Sequence, residues 1–203
     1  KELVDKTVCL IAYPHVSNII GQVNPVKEIC TLAKEVGAFT CVDGVSYAPH
    51  GIPQINDFNP DIYLFSSYKT FGPHLGVMYV SDTLATELES QCHYFNKEFP
   101  NKRFTPAGPD HAQVSALGGV YDYYDALSDY HFNRKLSSRS SIESINNLVS
   151  HQEKRLLKPL LDFLKTKKDI RLLGSYETEN RVPTVAIVTK KSNIVLAKEL
   201  NEL

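Results

Sequence analysis

Lys69 stands in the run Ser66-Ser67-Tyr68-Lys69-Thr70-Phe71-Gly72-Pro73, directly after the apolar stretch 62–65. A hydroxyl pair, an aromatic ring and a single amine before a Gly-Pro turn put reactive and binding groups at the end of a strand-length segment. An amine drawn out of water there loses proton affinity and becomes a nucleophile towards carbonyls. Asp43 closes a second apolar run, Phe39-Thr40-Cys41-Val42. If both runs are parallel strands, Asp43 and Lys69 emerge at the same carboxyl edge of one sheet, where α/β folds hold ligands. Each residue has a plainer alternative: Asp43-Gly44 is a common turn pair, and a solvated loop is the usual place for a lysine. The two together, at strand ends, favour a site.

A lysine for a Schiff base and an acid for a pyridinium nitrogen are the groups that pyridoxal 5'-phosphate (PLP) requires of its protein. Three segments carry a more specific likeness: His15-Val16-Ser17-Asn18-Ile19-Ile20-Gly21, Val42-Asp43-Gly44, and Ser66-Ser67-Tyr68-Lys69-Thr70-Phe71-Gly72-Pro73-His74-Leu75-Gly76-Val77. In order, spacing and residue type this resembles the class V aminotransferase family, and within it the cysteine desulfurase-like branch. The likeness runs from about residue 7 to about residue 120. It implies that Lys69 forms the aldimine, that Asp43 faces the ring nitrogen, and that Asn18 lies near the phenolic oxygen or the substrate carboxylate. Ser66 takes the position of a phosphate-binding hydroxyl. Tyr68 replaces the usual histidine and retains a hydroxyl for the phosphate. Ser46 stands where many relatives have Gln or His beside the ring, which leaves that ring contact open. Local alternatives remain: Asn18 as a loop-capping amide, and Ser66 and Ser67 as strand-end caps. His15 is either a polar wall of the site or an ordinary loop histidine.

The elements needed to position these groups follow in order. Residues 7–13 read as a buried parallel strand. Asn24 and Pro25 suit the N-cap and first turn of a helix with Val26, Ile29, Cys30, Ala33 and Val36 on one face, closed by Gly37. Residues 38–42 are the next strand, so that strand–helix–strand forms a right-handed parallel unit. Residues 47–60 read as a turn-rich surface connection, 61–65 as a strand and 75–80 as another, antiparallel in the family. Ser81-Asp82 opens a short helix, and residues 91–106 are irregular, dimer-facing in relatives. The turn Pro106-Ala107-Gly108-Pro109-Asp110 leads into a helix at 112–127. By resemblance this turn reaches across a dimer to the partner's phosphate, with His111 or Gln113 replacing the family's hydroxyl; plain capping by Asp110 is the alternative. Residues 133–141 read as a hinge. A long helix, with Pro159 as a point of disturbance, then precedes strands at 170–173 and 182–188 and a helix from Asn193.

Bulk properties narrow the classes. The 203 residues carry 22 basic and 23 acidic side chains, so nothing marks a nucleic-acid surface. No apolar run is of membrane-spanning length. Three of the four cysteines (Cys9, Cys30, Cys41 and Cys92) lie in apolar runs or on an apolar helix face. They read as buried free thiols in a reducing cytoplasm, with no disulfide framework and no metal site.

The expected fold is α/β, the PLP-dependent transferase fold type I. Residues 1–135 would form the later half of the large, mostly parallel-sheet domain, and 136–203 the first part of a small α+β domain. The sequence reads as a piece of a longer protein. The family's earlier phosphate loop, its substrate-carboxylate arginine and the desulfurase cysteine are not found in it. The expected function is a PLP-dependent enzyme acting on amino acids, removing sulfur from cysteine in a cytoplasmic homodimer. Class V transamination or another PLP-dependent lyase reaction is the alternative. A non-catalytic dimerising fragment is the rival from outside enzymology.

Overall fold

The computed structural model describes residues 3–105, 107–136 and 139–202. Its main sheet has four strands in sequence order: β1 (Leu10–Pro14), β2 (Phe39–Asp43), β3 (Ile62–Ser66) and β4 (Gly76–Val80). The first three are parallel, and β4 runs antiparallel to β3. Helix α1 (Val26–Val36) makes the β1–β2 crossover and buries Val26, Cys30 and Ala33. Val26 and Cys30 pack with Val42 and Tyr63 in the core beneath the sheet. Gly37 closes α1 in the left-handed region at φ +80°, its N–H donating to Ala33 and Lys34 carbonyls, as the sequence predicts.

Several expectations change. The strand predicted at 7–13 is β1, shifted towards Pro14. It is an edge strand and not a buried one, with Leu10 52% exposed. Asn24 does not cap α1: Pro25 occupies that position, and the Asn24 amide donates to the Pro14 carbonyl at 2.7 Å. Residues 47–60 are not a surface connection. They contain a 3-10 turn (Ala48–His50) and α2 (Ile55–Phe58), and Ala48, Gly51 and Pro60 are buried.

Helix α3 (Asp82–Glu87) is capped by Ser81, which accepts from the Leu84 N–H. Two 3-10 turns, Tyr94–Asn96 and Pro100–Lys102, lead to α4 (His111–Phe132). The predicted hinge is tied down where it is described: Leu136 is buried, its N–H donates to Asp125, and its carbonyl accepts from the Tyr121 hydroxyl at 2.7 Å. Helix α5 (Arg139–Lys165) runs continuously through Pro159. Leu157, Leu161 and Leu164 pack on Leu172 of the antiparallel pair β5 (Ile170–Leu173) and β6 (Ala186–Thr189). Helix α6 (Asn193–Asn201) follows. Val182 lies outside β6; its N–H donates to the Gly21 carbonyl, joining the segment before β6 to the loop after β1. All four cysteines are free, but only Cys30 is fully buried; Cys9 is exposed, because β1 is an edge strand.

Candidate cofactor site

Parallel pairing brings the carboxyl ends of β1, β2 and β3 into line. Asp43 is level with Pro14 on one side and Leu64 on the other, and Ser66 ends β3 two residues further on. Lys69 follows in a 3-10 turn (Ser67–Thr70), and Asn18 lies in the loop after β1. The carboxyl ends of the strands therefore bring Asp43 and Lys69 to one edge, as the apolar runs predict, and Asn18, Ser46, Ser66 and Tyr68 lie in or next to the same strand ends.

These side chains are largely unengaged. Asp43 is exposed, and its Oδ1 accepts from the Val45 N–H at 2.9 Å, which fixes the carboxylate by an Asx turn. Lys69 is half-buried and not sealed from water; its Nζ lies 6.0 Å from the centre of the Tyr68 ring. Among the described residues neither Lys69 nor Asp43 joins an ion pair. The Asn18 amide and the Ser46 and Ser66 hydroxyls likewise make no hydrogen bond to other described residues. Capping of the surrounding loops is done by their neighbours. Ser17 Oγ accepts from the Ile20 N–H, and the fully buried Ser67 hydroxyl donates to the Pro73 and Leu75 carbonyls. Tyr68 stacks on His74 with ring centres 4.8 Å apart.

The support beneath Asp43 is built from residues the sequence left undecided or did not single out. His15 is not a wall of the open edge but a buried residue, 3% exposed. Its N–H donates to the Asp43 carbonyl at 2.7 Å, and its Nδ1 lies 2.9 Å from the Tyr63 hydroxyl. Burial lowers its pKa to about 4, so the ring is neutral at pH 7. Tyr63 is held protonated by burial first, then by the nearby Tyr47 hydroxyl and Asp43 charge. A single Tyr inside an apolar strand gives little signal in sequence; only its hydroxyl, which needs a buried partner, hints at the pairing.

At the start of α4 the Asp110 cap is present. Asp110 Oδ1 accepts from the Ala112 and Gln113 N–H groups at 3.0 and 3.1 Å, and Oδ2 from the Gln113 side chain. The helix start is satisfied by its own carboxylate, which would also repel a phosphate. Pro106, the first residue of that predicted turn, lies outside the described residues.

The model of the aminotransferase class-V family matches residues 1–128. The chain belongs to this family. Class-V relatives include an aminotransferase-like protein of Gibberella zeae, 29% identical over 94% of this chain and 45% of its own length. A cysteine desulfurase-like protein of Aspergillus flavus is 37% identical over 93% of this chain and 40% of its own. The chain spans less than half the length of these relatives. The crystal structure of the Escherichia coli cysteine desulfurase CsdA superimposes with a TM-score of 0.75 at 20% identity, over 99% of this chain and 48% of that one. Pyridoxamine-pyruvate aminotransferase from Mesorhizobium loti gives 0.62 at 17%. These likenesses establish the α/β fold, of which this class-V chain represents about half. The donor set at its sheet edge fits the family's cofactor, PLP: one carboxylate, one amine, hydroxyls and an amide, none of them in an ion pair with another described residue.

Proposed function

We propose that this chain carries the cofactor-holding part of a PLP-dependent enzyme acting on amino acids, in the manner of a cysteine desulfurase. The observation that carries the reading is the juxtaposition of Asp43 and Lys69 at one sheet edge with their charges uncompensated by other described residues. Lys69 would hold the cofactor's carbonyl carbon and Asp43 its ring nitrogen. Ser66 and Tyr68 would hold the phosphate, and Asn18 and Ser46 the phenolic side. PLP supplies an electron sink for the bonds at the amino acid's Cα. The Lys69 amine is the group available to take and return the Cα proton. The Asp43 carboxylate favours a protonated ring nitrogen by opposite charge.

A homodimer is part of the proposal. It is supported by aromatic surface next to Lys69: Phe71 is 68% exposed and meets the exposed ring of Tyr123 at 4.6 Å. A reducing cytoplasmic setting accords with four unpaired cysteines. Among the described residues no helix is long and apolar enough to cross a membrane.

The test is product analysis on the complete protein, loaded with PLP and given L-cysteine. Release of sulfide or formation of persulfide is expected. Transamination of another amino acid with no sulfur released from cysteine would move the assignment to a class V aminotransferase.

A further inference from the structure

His15 and Tyr63 form a buried polar pair that the proposed chemistry does not use. Buried polar pairs cost desolvation, so their place in the fold needs a reason. The pair lies directly under the backbone that carries Asp43. The backbone N–H of His15 donates to the Asp43 carbonyl, and the next backbone N–H, that of Gly44, donates to the Leu64 carbonyl at 2.7 Å. Gly44 is buried against the Tyr63 ring so closely that a Cβ would overlap it. Asp43 is thus gripped at its own carbonyl, at the following N–H and from below.

The pair is also arranged to bring no positive charge to that spot. The groups facing His15 are the Tyr63 hydroxyl, the Tyr47 ring stacked at 3.9 Å and 16°, and the edge of Phe58 at 5.1 Å. With the phenol of Tyr63 protonated and the imidazole of His15 neutral, one of the two donates to the other across the 2.9 Å contact, so the pair is satisfied without a charge. Beyond this ring shell, the Asp43 charge acts on Tyr63 and the Glu153 charge on Tyr47. An imidazolium in this place would be a second cation competing for the Asp43 carboxylate.

We propose that His15 and Tyr63 are positioning residues that hold Asp43 in register with the cofactor ring and keep its negative charge uncompensated. The proposal rests on the reading of Asp43 as the partner of the PLP ring nitrogen. Tyr63→Phe removes the hydroxyl that partners His15 Nδ1 and leaves the ring packing in place. His15→Asn keeps a polar partner for the Tyr63 hydroxyl; His15→Leu does not.

The experiment measures the visible absorbance of PLP bound to the complete protein as a function of pH, with Asp43→Ala as reference. Loss of the Asp43 interaction raises the pH midpoint, because a ring nitrogen without its proton no longer acidifies the nitrogen bound at Lys69. Tyr63→Phe and His15→Leu are expected to move the midpoint in the direction of Asp43→Ala, by about one pH unit. His15→Asn should stay near wild type. Should Tyr63→Phe fail to fold, the His15 pair of variants decides alone. A wild-type midpoint in both Tyr63→Phe and His15→Leu, with Asp43→Ala shifted, would overturn the positioning role. A wild-type midpoint in Asp43→Ala itself would overturn the site reading and this inference with it.

Discussion

The carboxyl edge of the sheet and the start of α4 look alike in sequence but differ in structure. Both present small and polar residues where a phosphate-bearing ligand suits the fold. At the sheet edge, Asp43, Lys69, Ser66 and Asn18 keep their charge or hydrogen-bonding capacity free of other described residues, while Ser17 and Ser67 do the loop capping. At α4, Asp110 takes the Ala112 and Gln113 N–H groups itself. A binding site keeps polar capacity in reserve, whereas a cap uses it internally.

The contrast can be broken by substitution. The largest effect is expected at Lys69: Lys69→Ala should lower turnover of the complete enzyme by about 10³-fold or more, read by initial rates, since the Cα proton transfer is assigned to this amine. The next concerns the buried His15. Its folded pKa, about 4, lies below the unfolded 6.5, so the unfolded chain binds the extra proton between those values. Stability is therefore complete above pH 6.5 and falls as pH drops towards 4, by roughly 2–3 kcal/mol for this group. Denaturant titrations at several pH values should show that slope, and His15→Asn should flatten it. Gly44→Ala should cost about 2 kcal/mol, because the added methyl meets the Tyr63 ring, and urea unfolding would register it. The smallest effect belongs to the cap: Asp110→Ala should lose about 1 kcal/mol of stability yet leave PLP affinity within about twofold. A large loss of PLP affinity in that variant would restore the phosphate role to α4 and erase the contrast.

The positions of Asp43 and Lys69 were legible because apolar runs of strand length mark where strands end, and parallel pairing fixes which ends meet. The strand-length run of β4, the Gly37 stop and the short helix after Ser81 were legible for similar local reasons, while the antiparallel direction of β4 came from the family resemblance. What escaped depends on partners distant in the chain. Residues 47–60 read as surface, yet His50 meets Glu153 at 2.6 Å across a separation of 103 residues, and Asn146 bonds both the N–H and the carbonyl of Ile52. No local pattern records such docking. Nor does the run around His15 show that its ring turns inward to Tyr63. At α4 the sequence offered phosphate grip and Asp110 cap equally, and the hydrogen bonds show the cap. At Cys9 the apolar run suggested burial, but an apolar strand says nothing about whether a neighbour covers its edge.

The account stands or falls on Lys69 as the attachment point of PLP. Borohydride reduction of the complete protein mixed with PLP, followed by digestion and mass mapping, tests it most directly. The account predicts a pyridoxyl group on Lys69, lost in Lys69→Ala. Labelling scattered over surface lysines, unchanged by that substitution, would contradict it.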